Sequence, residues 1–499
     1  MSNSYTLPAP SGGLNFIDAI DSFPENDALE LTNLYPLGTN VALRGGTSRF
    51  LSAGTSSATR TLFQLPLENG TTKFLKAANN LFYDISAGTE ANITGTTVPT
   101  SNDWLTHVFR NRIFMVNGAD TAQVWTGSGN VADCTFTGVT LSDLSGVSSY
   151  RSRIYFIEGN TLSFWYGGVD SVSGALTEFD LSSIATRGGY LIFAGSYTSN
   201  AAISSQDLFI AVTSEGEILA YAGSYPGDAN SWSLVRRANV GKPLGRRAFI
   251  AVDNDLWIIT DQGIVPLSVI FSGASTVGLN SVGAKINPVI SRYAATMGAS
   301  HLWHGVHWPG GRRVFLAVPR AGNNVFLLVL NTDTGAWTKF DYGSSETAVS
   351  IGIWDGNPYY GSSFGHVYRM EQGLTDNGAG IFVDLLTGFN FFGSRSTFKH
   401  INEVRPLIRA IRGISLGLGI QTDFDLTPRV ATVSSAPGMS TPWGSPWGSP
   451  WSSSSDYLLP RYAVSAQGHS GALRIRATIS GTPLELNAFD IRFRAGGQV

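Results

Sequence analysis

One short motif in this sequence carries residue types that could act as a nucleophile and its base. Residues 361–365 read Gly-Ser-Ser-Phe-Gly, and His366 follows directly. This matches the G-x-S-x-G pattern, in which a sharp turn between a buried strand and a helix exposes the serine. Here a β-type run follows the motif, so the glycines are better explained as a hairpin turn. We therefore predict that Ser363 and His366 are dispensable for chemistry.

The densest histidine cluster consists of His301, His304 and His307. A spacing of three suits metal ligands on one face of a helix. However, Gly305 and the flanking tryptophan and proline residues argue against a helix at this place. The single cysteine, Cys134, excludes a disulfide framework and a multi-cysteine metal site. We predict packed or interface histidines, with no metal and no cofactor.

Paired carboxylates in a cleft would indicate a glycosidase. The candidates lie in sequence contexts typical of hairpin turns, where aspartate is favoured because its side chain bonds nearby backbone groups. These candidates are Asp253, Asp255, Asp333 and Asp355. The sequence offers no catalytic constellation, and we predict that the protein is not an enzyme.

The elements that surround these motifs are short apolar runs separated by Gly, Asn and Asp turns, which predict antiparallel meanders. One frame recurs at residues 109–116 and 150–157: an aromatic residue, Arg, a polar residue, Arg and four apolar residues. Looser copies follow, and the units are about 40 to 50 residues apart, as in the blades of a β-propeller. We predict a propeller of roughly six to eight blades over residues 51–370.

Residues 271–308 interrupt this pattern. A short helix is predicted near residues 281–297, because Asn287 is a typical N-cap and Pro288 suits the first helical position. Val289, Ile290 and Tyr293 would share its buried face.

The composition changes on both sides of the propeller. Residues 1–50 are predicted to form an arm that packs on a β platform. Residues 371–499 are predicted to form an additional antiparallel β domain, a sandwich or a barrel, with or without the N-terminal arm. Within it, residues 435–455 are a Trp/Pro/Gly-rich loop whose spacing excludes a regular helix or a central strand. The predicted fold class is therefore all-β.

Three tryptophans and two charged segments are candidates for contacts outside their own domain. The candidate subunit or partner contacts are Trp443, Trp447, Trp451, Arg395, Lys399 and Arg405. The candidate acidic channel face consists of Asp18, Asp21, Glu25, Asp27 and Glu30. The alternatives are that the tryptophans pack into their own domain, that the basic run is a solvated strand face, and that the acidic segment is a surface arm.

Composition limits the classes of function. The formal net charge of −3 argues against a protein that grips nucleic acid over a broad basic surface. It does not exclude a conduit through which DNA slides. No run approaches the roughly 20 apolar residues that span a bilayer, and no secretory signal is visible at the N-terminus.

The order of motifs along the chain resembles that of a known family. Residues 33–46 contain an N-x-Y-P … V-x-L-R-x-G run, residues 393–406 look like a strand entry after a propeller, and residues 489–497 end in a strand and a double glycine. Together with the repeated tryptophans of residues 443–451, these segments resemble the tail nozzle proteins of short-tailed bacteriophages, the tail tubular protein B class.

The resemblance implies a structural virion protein, a ring-forming nozzle that extends the tail channel, retains the packaged genome and passes DNA during ejection. It implies a homo-hexamer that contacts the portal or adaptor ring and the tail fibres or host receptor, located in the virion tail after assembly in the host bacterial cytoplasm. The DNA would pass through the channel without sequence-specific recognition. The alternative is a receptor- or carbohydrate-binding propeller of the tail. A tail-associated glycanase is disfavoured by the missing acid pair.

Overall fold

The apolar runs fold as short strands that pair almost entirely antiparallel. This is seen in a computed structural model, which describes residues 2–51, 57–201, 204–272, 282–343, 346–410, 414–434, 456–458 and 461–496. The chain divides into two compact units. Unit 1 comprises residues 1–48, 328–341 and 370–499, and unit 2 comprises residues 49–327 and 342–369. No described helix is long and apolar enough to cross a bilayer.

Unit 2 is a β-propeller with seven sheets among the described residues, which we number as blades 1 to 7. Blade 1 consists of Thr61–Pro66, Thr72–Ala78, Leu81–Asp84 and Ala91–Asn92. Blade 2 consists of Leu105–Phe109, Arg112–Val116, Gln123–Trp125 and Ala132–Asp133. Blade 3 consists of Leu144–Tyr150, Arg153–Glu158, Ser163–Tyr166 and Thr177–Asp180. Blade 4 consists of Leu191–Ala201, Ser204–Thr213, Glu217–Gly223 and Trp232–Asn239.

The remaining blades contain three strands each within this unit. Blade 5 consists of Phe249–Val252, Asp255–Thr260 and Gly263–Pro266. Blade 6 consists of His304–Trp308, Arg313–Arg320 and Asn324–Asn331, the last of which continues into unit 1. Blade 7 consists of Ala348–Trp354, Asn357–Ser362 and Val367–Arg369. The short strands Phe136–Thr137 and Gly174–Ala175 pair in parallel, and Ser48–Arg49 lies at the boundary of the two units.

The propeller prediction is confirmed, and the alternation of apolar residues explains it. Each strand places every second side chain on one face of its sheet, and these faces pack against the adjacent blade. One cluster joins blades 1 and 2 through Leu65, Phe82 and Trp104. Equivalent apolar clusters join blades 2 and 3, 3 and 4, 4 and 5, and 7 and 1.

The helical interruption contains the two helices of the described chain. The helix α1 is Leu267–Ser272 and α2 is Asn287–Met297. Ile286 occupies the N-cap position of α2, so the prediction of Asn287 as the cap is wrong: Asn287 Oδ1 instead accepts a hydrogen bond from the backbone N–H of Ile264 at 3.1 Å. Val289 and Ile290 are buried as predicted, and Tyr293 is half-buried. Three 3₁₀ turns are Leu141–Asp143, Pro309–Gly311 and Ala321–Asn323.

Unit 1 contains strands from both ends of the chain. One sheet contains Leu34–Pro36, Val41–Leu43, Leu484–Ala495, Lys399–Ala410 and Asp456–Leu458 in this order, with Ser2–Pro8 and Tyr462–Gly468 at its sides. The other contains Trp337–Phe340, Asp27–Thr32, Ile381–Thr387, Gly471–Ile479, Ser415–Thr422 and Ala431–Ser434, with Gly13–Leu14 beside Asp27–Thr32. The N-terminal arm is therefore part of the C-terminal β domain. Residues 328–341, which the sequence assigns to the propeller, belong to unit 1 because Lys339 pairs in parallel with Thr32.

A buried polar network lies inside unit 1. The Arg44 guanidinium donates two hydrogen bonds to the Asp376 carboxylate, at 2.9 and 2.6 Å, and one to Asn33 Oδ1 at 2.8 Å. Asn33 Nδ2 donates to the carbonyl of Phe382 at 2.7 Å. Gly46 is required for the close approach of the chain, since a Cβ there would lie 2.1 Å from a backbone oxygen. Three residues of the N-x-Y-P … V-x-L-R-x-G run thus build the interior of this unit.

Candidate functional site

The Gly-Ser-Ser-Phe-Gly motif is a hairpin turn in blade 7, as predicted. It connects Asn357–Ser362 to the antiparallel strand Val367–Arg369, so no helix follows. Ser362 Oγ accepts hydrogen bonds from the backbone N–H groups of Phe364 and His366, both at 3.2 Å. The His366 ring contacts Glu346 rather than a serine. The geometry is that of a turn stabilised by side-chain to backbone bonds.

Of the predicted partner contacts, the three tryptophans lie outside the described residues, and that prediction stays a prediction. Lys399 is 1% exposed, and its ammonium donates to the carbonyls of Ser394, Thr397 and His469. Burial lowers its pKa. Lys399 therefore cannot contact a partner, because its charge is used inside unit 1.

The other two basic candidates are more accessible. Arg405 is half-buried and lies opposite Asp490 on the neighbouring strand. The side chain of Arg395 is 64% exposed, and its guanidinium donates to the carbonyl of Asp21 at 2.9 Å and lies 3.5 Å from the Asp21 carboxylate. Arg395, a predicted partner contact, therefore pairs with Asp21, a residue of the predicted acidic channel face.

The acidic candidates do not form a single surface. Asp18 and Glu25 are exposed, and each accepts a hydrogen bond at 2.7 Å, from Asn15 and Asn390 respectively. Asp27 is fully buried and also accepts from Asn15, at 2.7 Å. Glu30 is half-buried and pairs with Lys339 at 2.8 Å. Asp27 is therefore a structural residue and is removed from the proposed face, and only the exposed carboxylates could face a channel or partner.

The three clustered histidines have separate environments in unit 2. His301 Nδ1 lies 3.2 Å from Asp103, and His307 Nδ1 lies 3.8 Å from Asp253. His304 is 3% exposed. Its Nδ1 lies 2.9 Å from the carbonyl of Leu302, so Nδ1 must carry the hydrogen and Nε2 must be an acceptor. The prediction of packed histidines is confirmed for His304.

His304 lines a cavity on the propeller axis. This cavity has a volume of about 410 Å³, and the first strand of every blade contributes to its wall. A second cavity of about 560 Å³ has four residues in common with it: Leu105, Ile192, Arg246 and Arg247. We call the two together the axial cavity. It brings together residues from distant parts of the chain and is the candidate functional site.

Cationic side chains dominate the wall of the axial cavity. Its two carboxylates are each paired: Asp103 with Arg60 at 2.9 Å, and Glu215 with Lys242 at 2.8 Å. Arg246 and Arg247 instead donate to main-chain carbonyls, those of Asn117 at 3.3 Å and Arg60 at 2.9 Å. Among the described residues, neither has a carboxylate within ion-pair distance. Asp103, which Arg60 contacts, also attracts Arg247. Together with Arg60, the cationic side chains at the cavity exceed its carboxylates by two charges.

The surroundings of these charges shift several pKa values. Burial lowers the pKa of Arg247 to about 10, opposed by Asp103 and assisted by the nearby Arg60. Burial likewise lowers the pKa of His301 to about 4. The pKa of His304 is well below its usual value because of burial and the proximity of Arg247. Both histidines are therefore neutral at pH 7, and the arginines alone carry the excess charge.

Two residues that line the axial cavity each have a polar atom without a hydrogen-bond partner in the described part of the chain, Nε2 of His304 and Oγ of Ser148, and both atoms are buried out of reach of a water molecule. Unpaired buried polar atoms are uncommon in folded proteins and call for an explanation. In the sequence, the signal for this site is the Gly245-Arg246-Arg247 run just before blade 5. Gly245 has a φ of 145°, and a Cβ there would lie 2.5 Å from the carbonyl oxygen of Ser300. This turn places both arginines at the cavity.

No protein-family model matches this chain, and no curated protein matches it. Similar solved structures include virginiamycin B lyase from Staphylococcus aureus, with 11% identity, 64% of this chain and 97% of that chain covered, and a TM-score of 0.42. YCF48 from Cyanidioschyzon merolae has 11% identity, 66% and 98% coverage, and a TM-score of 0.40. The computationally designed Ika8 protein has 13% identity, 68% and 96% coverage, and a TM-score of 0.38. Likenesses at these TM-scores carry no argument about activity or partners, and the propeller assignment rests on the strand pairing of the chain itself.

Proposed function

We propose that this chain is a structural subunit of a short bacteriophage tail, a nozzle protein that forms a homo-hexameric ring around the DNA exit channel. The observation that carries the proposal is the buried network of unit 1. Asn33, Arg44 and Gly46 belong to the run that resembles the nozzle family, and all three have structural roles there. The resemblance therefore rests on residues that determine how unit 1 packs, rather than on accidental surface residues.

The proposed role is mechanical and needs no catalytic residue. The ring retains the packaged genome and passes DNA during ejection, with the portal or adaptor ring on one side and tail fibres or the host receptor on the other. The serine and histidine of the one nucleophile-like motif lie in a turn, and the carboxylate of Asp255, one of the candidate aspartates, accepts hydrogen bonds from the backbone N–H groups of Leu256 and Ser268. These contacts support a non-enzymatic role, in the virion tail.

The mass of the purified full chain, measured by mass photometry, tests this proposal. We expect a six-fold ring. A monomer that binds host glycans would contradict it and would favour the receptor- or carbohydrate-binding propeller instead.

A variant adds information on how the ring is held. Replacing Trp447 with alanine should weaken assembly of the hexamer while the propeller stays folded. In a proline- and glycine-rich loop, each large tryptophan side chain is expected to act as a separate anchor. A destabilised monomer with unchanged assembly would mean that this tryptophan packs into its own domain.

A further inference from the structure

We propose that the axial cavity of the propeller binds a dianionic tetrahedral oxyanion, either inorganic phosphate or the phosphoryl group of a small phosphomonoester. Arg246 and Arg247 would bind its oxygens. The site is independent of the proposed role in a tail, since it lies inside the propeller of a single chain.

The first reason is the charge of the wall. After Asp103 is paired with Arg60 and Glu215 with Lys242, two guanidinium groups are left over. Asp103 also attracts Arg247, but Arg60 and His301 contact the same carboxylate, so one anion serves several groups. A cation held in a partly buried site is costly unless its charge is compensated. A ligand of charge −2 would balance Arg246 and Arg247.

The second reason is the hydrogen-bonding capacity of the two arginines. Arg246 donates to the carbonyl of Asn117 at 3.3 Å and Arg247 to that of Arg60 at 2.9 Å, and a guanidinium group has five N–H donors. Both residues line both parts of the axial cavity. Each side chain therefore has further N–H groups that can donate to the oxygens of an anion in the cavity.

The third reason is size and shape. The part of the cavity that His304 lines has a volume of about 410 Å³, within the range of small-molecule sites. The planar guanidinium group of an arginine can donate two parallel hydrogen bonds to two oxygens of a phosphoryl group. The planar carboxylate is a weaker match, because a single carboxylate has one charge for two guanidinium groups.

Isothermal titration calorimetry on the full chain tests the proposal with three probes at matched ionic strength: phosphate, sulfate and chloride. Sulfate has the charge and shape of hydrogen phosphate, whereas chloride has a single charge and no oxygens. We expect phosphate and sulfate each to bind about tenfold or more tightly than chloride, because two guanidinium groups match a dianion with several oxygens. Equal weak heats for all three anions would overturn the proposal.

Variants locate the site. We expect Arg247→Gln and Arg246→Gln each to weaken phosphate binding by about tenfold or more, the usual effect of losing a charged hydrogen bond. The matched control is Arg292→Gln, because Arg292 is an exposed arginine on α2 and its loss should leave binding unchanged. Phosphate binding that survives both cavity arginine variants, or that falls equally in the control, would contradict the assignment.

Circular dichroism shows which variants fold. If one arginine variant does not fold, the other still decides the location. If none folds, the comparison of phosphate, sulfate and chloride on the unmodified chain decides whether the site exists. Titration with glycerol phosphate then separates the two sources: tighter binding than inorganic phosphate indicates a phosphomonoester, and weaker binding indicates the free anion.

Discussion

The ammonium group of Lys399 donates hydrogen bonds to the carbonyls of Thr397 and His469, at 2.8 and 2.9 Å, as well as to that of Ser394. Arg395, four residues earlier, is mostly exposed and pairs with Asp21. Both residues belong to one basic run of the sequence. Nevertheless, Lys399 is buried and bonds three backbone carbonyls, whereas Arg395 lies in solvent. At the scale of the residue, the role of a charge is set by its burial, which the composition of a segment does not reveal.

We predict that Lys399→Met lowers the local free energy of unfolding of unit 1 by about 1–3 kcal/mol, because three carbonyls lose their charged donor. Hydrogen–deuterium exchange of the strands Lys399–Ala410 and Tyr462–Gly468 measures this loss, since the two strands pair with each other. The control Arg395→Gln removes a charge from the same run and should cost less than about 1 kcal/mol, as expected of an exposed ion pair. Equal losses in the two variants would show that the burial of Lys399 is energetically unimportant.

At the scale of the element, the recurring frame of blades 2 and 3 has a direct physical cause. The first Arg of the frame and the polar residue after it are the two central residues of the hairpin between the first and second strands. Arg110 and Asn111 have φ values of 48° and 56°, and Arg151 and Ser152 have 48° and 59°. Two-residue hairpins favour turns with positive φ at both positions, because this twist matches that of the strands. The four apolar residues that end the frame are the buried residues of the second strand of each blade.

We predict that Ser152→Gly stabilises the propeller by up to about 1 kcal/mol, because glycine adopts positive φ without the steric cost that serine has there. Thermal unfolding of the full chain measures the change. The control Ser233→Gly replaces an exposed serine inside the strand Trp232–Asn239, where glycine should destabilise by about 0.5–1 kcal/mol. A loss of stability in both variants would contradict the proposed strain at Ser152.

The sequence predicts these hairpins well because neighbours along the chain specify a two-residue turn. It predicts the axial cavity poorly for the opposite reason. Arg60, Arg247 and His304 come from different blades, and only the closure of the ring brings them together. Asn287 is a similar case, since its side chain bonds Ile264 in blade 5 instead of its own helix. Where a long-range contact competes with a local one, local patterns do not indicate which of them forms.

At the scale of the whole propeller, the two ends of unit 2 meet in one junction between blades 7 and 1. The backbone N–H of Phe50 donates to the carbonyl of Val367 at 2.8 Å, and Ser350 Oγ donates to the carbonyl of Thr59 at 2.6 Å. The Trp354 ring of blade 7 stacks on Phe74 of blade 1 with centroids 5.2 Å apart and planes 6° apart. Its Nε1–H donates to the carbonyl of Thr72 at 3.0 Å. This junction joins the segments of the ring that are most distant in sequence, so closing it has the largest loop-closure cost.

We predict that Trp354→Ala opens the ring at this junction and lowers stability by about 2–4 kcal/mol, because the substitution removes a large aromatic contact and one hydrogen bond. Hydrogen–deuterium exchange should then rise in blades 1 and 7 more than in blades 3 and 4. The matched control is Trp165→Ala, since Trp165 is also half-buried and donates a hydrogen bond at 3.0 Å, but to Glu158 within blade 3. Its loss should raise exchange in blade 3 and leave the junction protected. If both variants raised exchange uniformly around the ring, the propeller would unfold as a single cooperative unit, and the junction would have no special role in its stability.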